Sequence, residues 1–256
     1  MMRKVLAILI IAVAVAVPFF CFDFLPDIGD PMAPPNTRTS DYYIEHAIPE
    51  THAPNMVTAV IVDYRAYDTM LETTVMFLAG LGVVLILSRK PKPENRIQVP
   101  DQYPARTEGT PAYQTINKSV VITLLEPLLM IYGIYVLFHG EVSLGGGFQA
   151  GALFGLTYVI DVMVMTDRKN LMRLGKEGAV ALAGVGTFIY VLGGILCLFG
   201  GGLFLEYATM PLIHEAERHP TGMLIVEIGV AICVMATIIT ILNGIMERAR
   251  WDDDTN

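Results

Sequence analysis

The stretch that decides the fold lies near the middle of the chain. Residues 120–138 read VVITLLEPLLMIYGIYVLF, in which Glu126 is the single charged side chain. A helix of this length spans a hydrocarbon core of roughly 30 Å. An ionised acid inside such a helix costs roughly 2.5–3.5 kcal/mol on insertion scales, so it must face protein, water or an ion. The run therefore predicts a transmembrane helix that carries a candidate functional acid.

Further apolar runs of similar length extend this prediction to the whole chain. The 256 residues are 54% hydrophobic and 16% charged, with a mean hydropathy of +0.53, which is typical of membrane proteins. The first run could instead be a signal peptide, but residues 18–22, PFFCF, lack a small-residue cleavage pattern and favour a retained helix. We predict an all-α membrane protein with about six transmembrane helices, over residues 4–22, 68–88, 120–138, 147–165, 178–204 and 222–246.

The basic residues predict the orientation of these helices. Of the 17 lysines and arginines, all except Arg38, Arg65 and Arg218 fall in segments that six spans would place on one side. The positive-inside rule makes that side cytoplasmic, with both termini on it. The net charge of −8 comes mainly from the outer loop after the first helix and from the Asp-rich tail. It gives no indication of nucleic acid binding.

The chain divides into two modules. Residues 89–118 contain five prolines and indicate a cytoplasmic linker. This linker separates a two-helix module, 1–88, from a four-helix module, 119–256. In the first module, Asn55 is an expected N-cap for a short amphipathic helix over residues 55–67.

The third predicted helix concentrates several polar groups around one proline. Pro127 cannot donate a backbone hydrogen bond to the carbonyl of Thr123. That carbonyl, the Thr123 hydroxyl and the Glu126 carboxylate would together suit Na⁺, water or a proton. The alternative is that Glu126 anchors a neighbouring subunit through a hydrogen bond.

Three other acids lie within predicted helices. Asp161 is near the cytoplasmic end of the fourth helix, where it could serve transport or pair with Arg168 or Lys169. Glu72 and Glu227 sit about one turn inside the outer ends of their helices. They are pathway candidates, or acids that favour the positive end of a helix. None of the acids is at the midplane, which argues against a complete ion path through this chain alone.

A glycine-rich loop joins the third and fourth helices. Residues 144–151 read LGGGFQAG, and glycine permits a tight return into the membrane. No Gly-Lys-Ser/Thr follows, so a phosphate-binding loop is not predicted. His139, just before the loop, could titrate near pH 6.5 or bond to a backbone carbonyl. The loop glycines are continued by a stripe of small residues along the fourth helix, which is a signature of close helix packing. The glycines of the loop and the stripe are Gly145, Gly146, Gly147, Gly151 and Gly155.

Two motifs carry a resemblance to a known family. Residues 134–140, IYVLFHG, followed by 145–151, GGGFQAG, resemble the MnhB/MrpB-type subunit of multi-subunit Na⁺/H⁺ antiporters. That family typically reads H-G-x-x-x-P-G-G-G-F-Q-G-G, and here Leu144 replaces the proline and Ala150 one glycine. Residues 60–75, VIVDYRAYDTMLETTV, are similar to a V-D-x-R-x-x-D-T-x-x-E-x-x-V pattern. That pattern occurs near the C-terminal end of MrpA-type subunits and, in membrane-bound hydrogenases, in a small subunit of its own.

The resemblance implies a membrane subunit of an Mrp-type cation/proton antiporter module. Such a subunit would help line a Na⁺/H⁺ pathway and join antiporter-like subunits in a prokaryotic plasma membrane, within a membrane-bound hydrogenase or related respiratory complex. A free-standing Mrp antiporter and a purely structural subunit are the alternatives. The expected partners are other Mrp-type or hydrogenase-like subunits and lipid. Na⁺ and H⁺ are the candidate transported ions, and no catalytic residue, metal or bound cofactor is expected.

The resemblance also assigns residues. It carries over Glu72, His139 and the glycine run, together with three charged residues near the start of the second helix. These three could form a cluster at the mouth of the pathway, or cap the second helix. They are Asp63, Arg65 and Asp68.

Overall fold

The computed structural model describes residues 2–88, 112–164, 174–211 and 213–253, and in these ranges the regular secondary structure is helical. The chain forms two compact units, residues 1–46 and 47–256, and the helix Ser40–Thr51 crosses the boundary between them. The α-helices are α1 (Met2–Cys21), α2 (Ser40–Thr51), α3 (Met56–Thr58), α4 (Ala66–Leu87), α5 (Ala112–Phe138), α6 (Gly147–Val164), α7 (Lys176–Phe199) and α8 (Arg218–Asp253).

The helices confirm the predicted all-α membrane fold. Five of them, α1, α4, α5, α7 and α8, are long and apolar enough to cross a membrane, and α6 is a shorter apolar helix. Several boundaries differ from prediction: α5 begins at Ala112 rather than at residue 120, and α8 runs from Arg218 to Asp253 rather than over residues 222–246. Helix α7 ends at Phe199 rather than at residue 204. The chain turns there at Gly200–Gly202: Gly201 has φ +87°, and a Cβ on Gly200 would overlap the carbonyl oxygen of Thr209.

The first unit consists of α1, a short 3₁₀ turn (Phe22–Phe24), a π-helical turn (Pro35–Thr39) and the beginning of α2. The apolar side chains of α1 are exposed in the isolated chain, for example Ile8 at 67%. Lipid or other subunits must therefore cover this helix.

Helix α8 is the centre of the second unit. It packs against α4, α6 and α7. Its approach to α7 is close, since a Cβ on Gly186 would lie 2.6 Å from the carbonyl oxygen of Gly229. Lipid tails are as apolar as leucine, so membrane helices associate through such close van der Waals contact between small residues.

The predicted glycine stripe of α6 lies against α8 of the same chain. A Cβ on Gly151 would be 2.5 Å from the carbonyl oxygen of Ala231, and one on Gly155 would be 2.7 Å from Cδ1 of Ile238. On Gly147 it would overlap the carbonyl oxygen of Glu227. The stripe therefore fixes α6 onto α8, and the partner of these three glycines is intramolecular.

The segment before α4 is more irregular than the predicted helix over 55–67. Asn55 is the N-cap of α3 and accepts a hydrogen bond from the N–H of Val57 at 3.1 Å. The chain then forms a π-helical turn, Ala59–Tyr64, and breaks at Arg65 before α4 begins. The side-chain amide of Asn55 also donates to the carbonyl of Gly140 at 2.9 Å. This bond ties α3 to the loop that follows α5, and we call the side of the unit where they meet the glycine-loop end.

Candidate functional site

Glu227 is the most deeply placed acid of the described chain. It lies on α8 near the glycine-loop end, is 6% exposed, and is the one charged residue among the buried residues that the structure describes. A Cβ on Gly147 would overlap the backbone carbonyl oxygen of Glu227. The first residue of α6 is therefore in close contact with α8 at this acid.

Two further glycines make room for the carboxylate. A Cβ on Gly146 would lie 2.6 Å from Oε1 of Glu227, and one on Gly140 would lie 2.9 Å from Oε2. Real Cβ atoms essentially never approach that closely, so any larger residue would displace the acid. The glycine-rich loop is therefore the wall of a site built around Glu227.

A cavity of about 840 Å³ opens beside this carboxylate. Residues of α3, α4, α5, α6 and α8 line it, and no lysine, arginine or histidine is among them. Most of the lining is apolar. The polar side chains that line it are Asn55, Thr58, Thr69, Glu72, Thr73, Gln149 and Glu227.

A smaller cavity of about 180 Å³ lies on another side of Glu227. Its lining includes Glu141, Glu217 and Thr221, again without a basic side chain. Glu227 lines both cavities, so its carboxylate separates two spaces at the glycine-loop end of the bundle.

The structure brings some of the predicted site residues together and leaves others apart. Glu72 and Glu227 line the larger cavity with Gly145, Gly146 and Gly147. Glu126 and Asp161, partly buried on α5 and α6, line neither cavity. Their shared role in a pathway remains a prediction.

The surroundings of those two acids differ. Oε1 of Glu126 is buried, whereas Thr123, one turn before it, is exposed. The residues proposed as partners of Asp161, Arg168 and Lys169, lie outside the described part of the chain.

The predicted charge cluster separates into two pairs. Arg65 and Asp68 form an exposed ion pair, with 2.6 Å between Nε and Oδ2. Asp63 instead meets His219 of α8, at 2.6 Å between Oδ2 and Nδ1, and both side chains are largely buried. Arg65 occupies the N-cap position of α4 without a side-chain capping bond. Asp63 and His219 thus join the segment before α4 to the start of α8.

His139 is exposed at the end of α5. Its Nδ1 lies 3.1 Å from the carbonyl oxygen of Tyr135, and its ring stacks on that of Tyr135 at 4.2 Å. His139 lines neither cavity, and the arrangement matches the alternative in which the histidine bonds to a backbone carbonyl.

Two buried tyrosines stabilise the segment beside the site, and the sequence did not reveal them. The break before α4 interrupts the regular helical hydrogen bonds, and side-chain hydroxyls replace them. Tyr207 donates to the carbonyl of Val62 at 3.1 Å, and Tyr190 donates to that of Ala66 at 2.8 Å. Burial raises the pKa of Tyr207 well above its ordinary value, so the phenol keeps the proton that it donates.

Fold and site together define a multi-pass α-helical membrane protein with a buried acid near one end of the bundle. Residues 118–240 match the model of a domain related to the MnhB subunit of Na⁺/H⁺ antiporters. Residues 2–104 match the MbhE model, which describes one of the subunits of MBH. The chain therefore combines an MbhE-type segment with a following domain that is related to the MnhB subunit of Na⁺/H⁺ antiporters.

Relatives in other organisms share most of the chain. An uncharacterized protein of Methanocaldococcus jannaschii is 28% identical over 200 residues, covering 75% of this chain and 73% of the relative. A probable A/B subunit of a K⁺/H⁺ antiporter of Rhizobium meliloti is 24% identical over 230 residues, or 84% of this chain. This chain spans only 23% of the length of that relative.

Two solved structures have a similar fold. A chain of the membrane-bound sulfane sulfur reductase, an archaeal respiratory membrane complex, superimposes with a TM-score of 0.59 at 28% identity, covering 97% of this chain and 98% of that one. A chain of the Mrp complex from Dietzia sp. DQ12-45-1b gives 0.62 at 24% identity and covers 94% of this chain, but only 26% of that chain. Both matched chains are parts of complexes.

Proposed function

We propose that this chain supplies one acid, Glu227, to the path by which its complex exchanges a monovalent cation for protons. The observation that supports the proposal is the burial of this carboxylate between two cavities whose described linings contain no basic side chain. An ionised carboxylate in such surroundings needs a counter-ion, and a neutral one needs a proton. Alternation between these two states would couple cation movement to proton movement.

A purely structural role is the competing function, and one contact favours it. Oε1 of Glu227 lies against Gly146, so the acid could serve only to hold the glycine loop on α8. A glutamine at this position would fill the same space but could not exchange a proton or neutralise a cation. The two functions therefore differ in what Glu227→Gln does to transport.

The test is cation/proton exchange by the complete complex in membrane vesicles, with Na⁺ and with K⁺. For Glu227→Gln we expect exchange to fall by at least about tenfold, while the amount of assembled complex is unchanged. Glu215→Gln is the control, because Glu215 is exposed in a short 3₁₀ turn at the same end and lines neither cavity. Normal exchange by a fully assembled Glu227→Gln complex would refute the proposal.

We also propose that the complex is of the respiratory type and that both termini of this chain are cytoplasmic. The support for the first point is that residues 2–104 match the MbhE model and that the chain is 28% identical to a chain of the sulfane sulfur reductase, an archaeal respiratory membrane complex. Mass spectrometry of the purified complex tests it. Redox subunits should co-purify with this chain, and their absence from an intact, transport-competent complex would favour a free-standing antiporter.

A further inference from the structure

The larger cavity has the shape of a groove between helices. Its floor is one face of α8, formed by Glu227, Val230 and Val234, which are spaced i, i+3 and i+7. Helix α4 forms one wall, and α5 and α6 form the other. The groove is open on the side away from α8, where Tyr132 and Phe148 are 55% and 48% exposed.

The dimensions of the groove suit an α-helix. Seven residues of α8 correspond to about 10 Å along the helix axis. A two-turn helical segment, about 10 Å across, occupies roughly 800 Å³, close to the cavity volume of about 840 Å³. The exposed apolar walls would be buried by such a segment, as helix packing in a membrane requires.

The charges in the groove specify what that helix must carry. Glu72 is exposed on the α4 wall, between Leu71 and Val75, which are 58% and 62% exposed. A carboxylate on an apolar membrane-facing surface is costly unless a cation or water meets it. The groove has no basic side chain of its own among the described residues, so an occupant with a lysine or arginine would complement Glu72.

We propose that this groove binds a transmembrane helix of a partner subunit that places a lysine or arginine opposite Glu72. The inference concerns assembly; with the groove filled, the ion path of the proposed function would run through the smaller cavity that Glu227 also lines. Glu72 is the docking residue, and Glu227 lies beneath it on the floor.

A photo-crosslinking amino acid at the position of Phe148, in the otherwise unchanged complex, identifies the occupant. We expect an adduct with another membrane subunit, mapped to a helix that contains a lysine or arginine. The same amino acid at Phe188, which is 59% exposed on α7 and does not line the groove, is the control and should not give that adduct. Adducts with lipid alone, or with residues 1–46 of the same chain, would overturn the proposal.

Charge reversal tests the pairing itself. Glu72→Lys should reduce co-purification of the crosslinked subunit by roughly tenfold, because it places two like charges together. Replacing the facing basic residue of the partner by glutamate should restore co-purification, which a general folding defect would not allow. Unchanged co-purification of Glu72→Lys, or no recovery in the double variant, would contradict the pairing.

Discussion

At the scale of single residues, the site uses two properties of glycine: it tolerates a positive φ, and it has no side chain that would fill the space beside it. Gly145 has φ +131°, which L side chains rarely adopt, and a Cβ there would also lie 2.7 Å from Cγ1 of Val136, so its role is in the conformation of the loop and its packing on α5. Gly146 does not have a positive φ. Its role is to leave space for the carboxylate of Glu227, because a Cβ on Gly146 would lie 2.6 Å from Oε1 of that residue. These adjacent glycines of the loop therefore have different roles, and substitutions of Gly145 and of Gly146 should have different effects.

Gly146→Ala should impair transport because the added methyl group displaces the carboxylate of Glu227. We expect the variant complex to assemble, with a stability loss of about 1–3 kcal/mol from overpacking, and to exchange cations and protons several-fold more slowly. Gly82→Ala is the matched control, since a Cβ there meets nothing within 4 Å. Vesicle transport assays check the result, and equal activity of the two variants would show that the glycine does not position the acid.

At the scale of elements, the irregular start of α4 is stabilised by groups that are distant in sequence. The π-helical turn Ala59–Tyr64 and the break at Arg65 leave carbonyls that hydroxyl groups satisfy. Thr69 donates to the carbonyl of Ile61 at 2.6 Å, and Tyr207 donates to that of Val62. The loop between α7 and α8 thus determines where α4 begins.

Tyr207→Phe should loosen this end of the bundle without altering its apolar packing. The change leaves a buried carbonyl without its donor, which costs about 1–3 kcal/mol. Tyr67→Phe is the control because Tyr67 is 56% exposed. Detergent-induced unfolding of the purified complex should show a lower midpoint for Tyr207→Phe alone. A matching shift in both variants would mean that the Val62 contact contributes no specific stability.

Sequence and structure agree wherever the information is local. The apolar runs predicted the spanning helices, and the Asn55 cap was predicted from residue type alone. Sequence could not pair Asp63 with His219, 156 residues away. The sequence also made Glu126, which precedes Pro127, the first candidate for the functional acid, whereas the described cavities lie beside Glu72 and Glu227. On a helix that is apolar on every face, hydropathy does not show which side packs inward.

At the scale of the whole molecule, the two sequence modules share one helical unit. Helix α4 belongs to the N-terminal module but packs against α7 and α8 of the C-terminal one. The carbonyl of Thr73 accepts a hydrogen bond from Sγ of Cys233 at 3.5 Å, and Gly80 faces Thr237 closely enough that a Cβ would be 3.1 Å from its Cγ2. Contact between helices therefore joins the modules in addition to the covalent chain.

A chain divided in the segment 89–111 should still assemble. We expect fragments 1–88 and 112–256, produced together in membranes, to co-purify, because the contacts of α4 do not require the linker. Gly80→Leu should abolish this association by overpacking against Thr237. Gly82→Leu, with open space around it, should leave it intact. Fragments that fail to associate when all partner subunits are present would contradict this expectation.

The length of α8 has a mechanical consequence. With 36 residues it is about 54 Å long, well beyond a hydrocarbon core of roughly 30 Å. Its tightest backbone approach to α7, at Gly186 and Gly229, is close to Glu227, whereas Glu247 lies about 27 Å further along the axis. Helix α8 is therefore joined to α7 at two levels, beside the buried acid and again where Glu247 pairs with Lys176. Any movement of α8 against α7 must release both contacts.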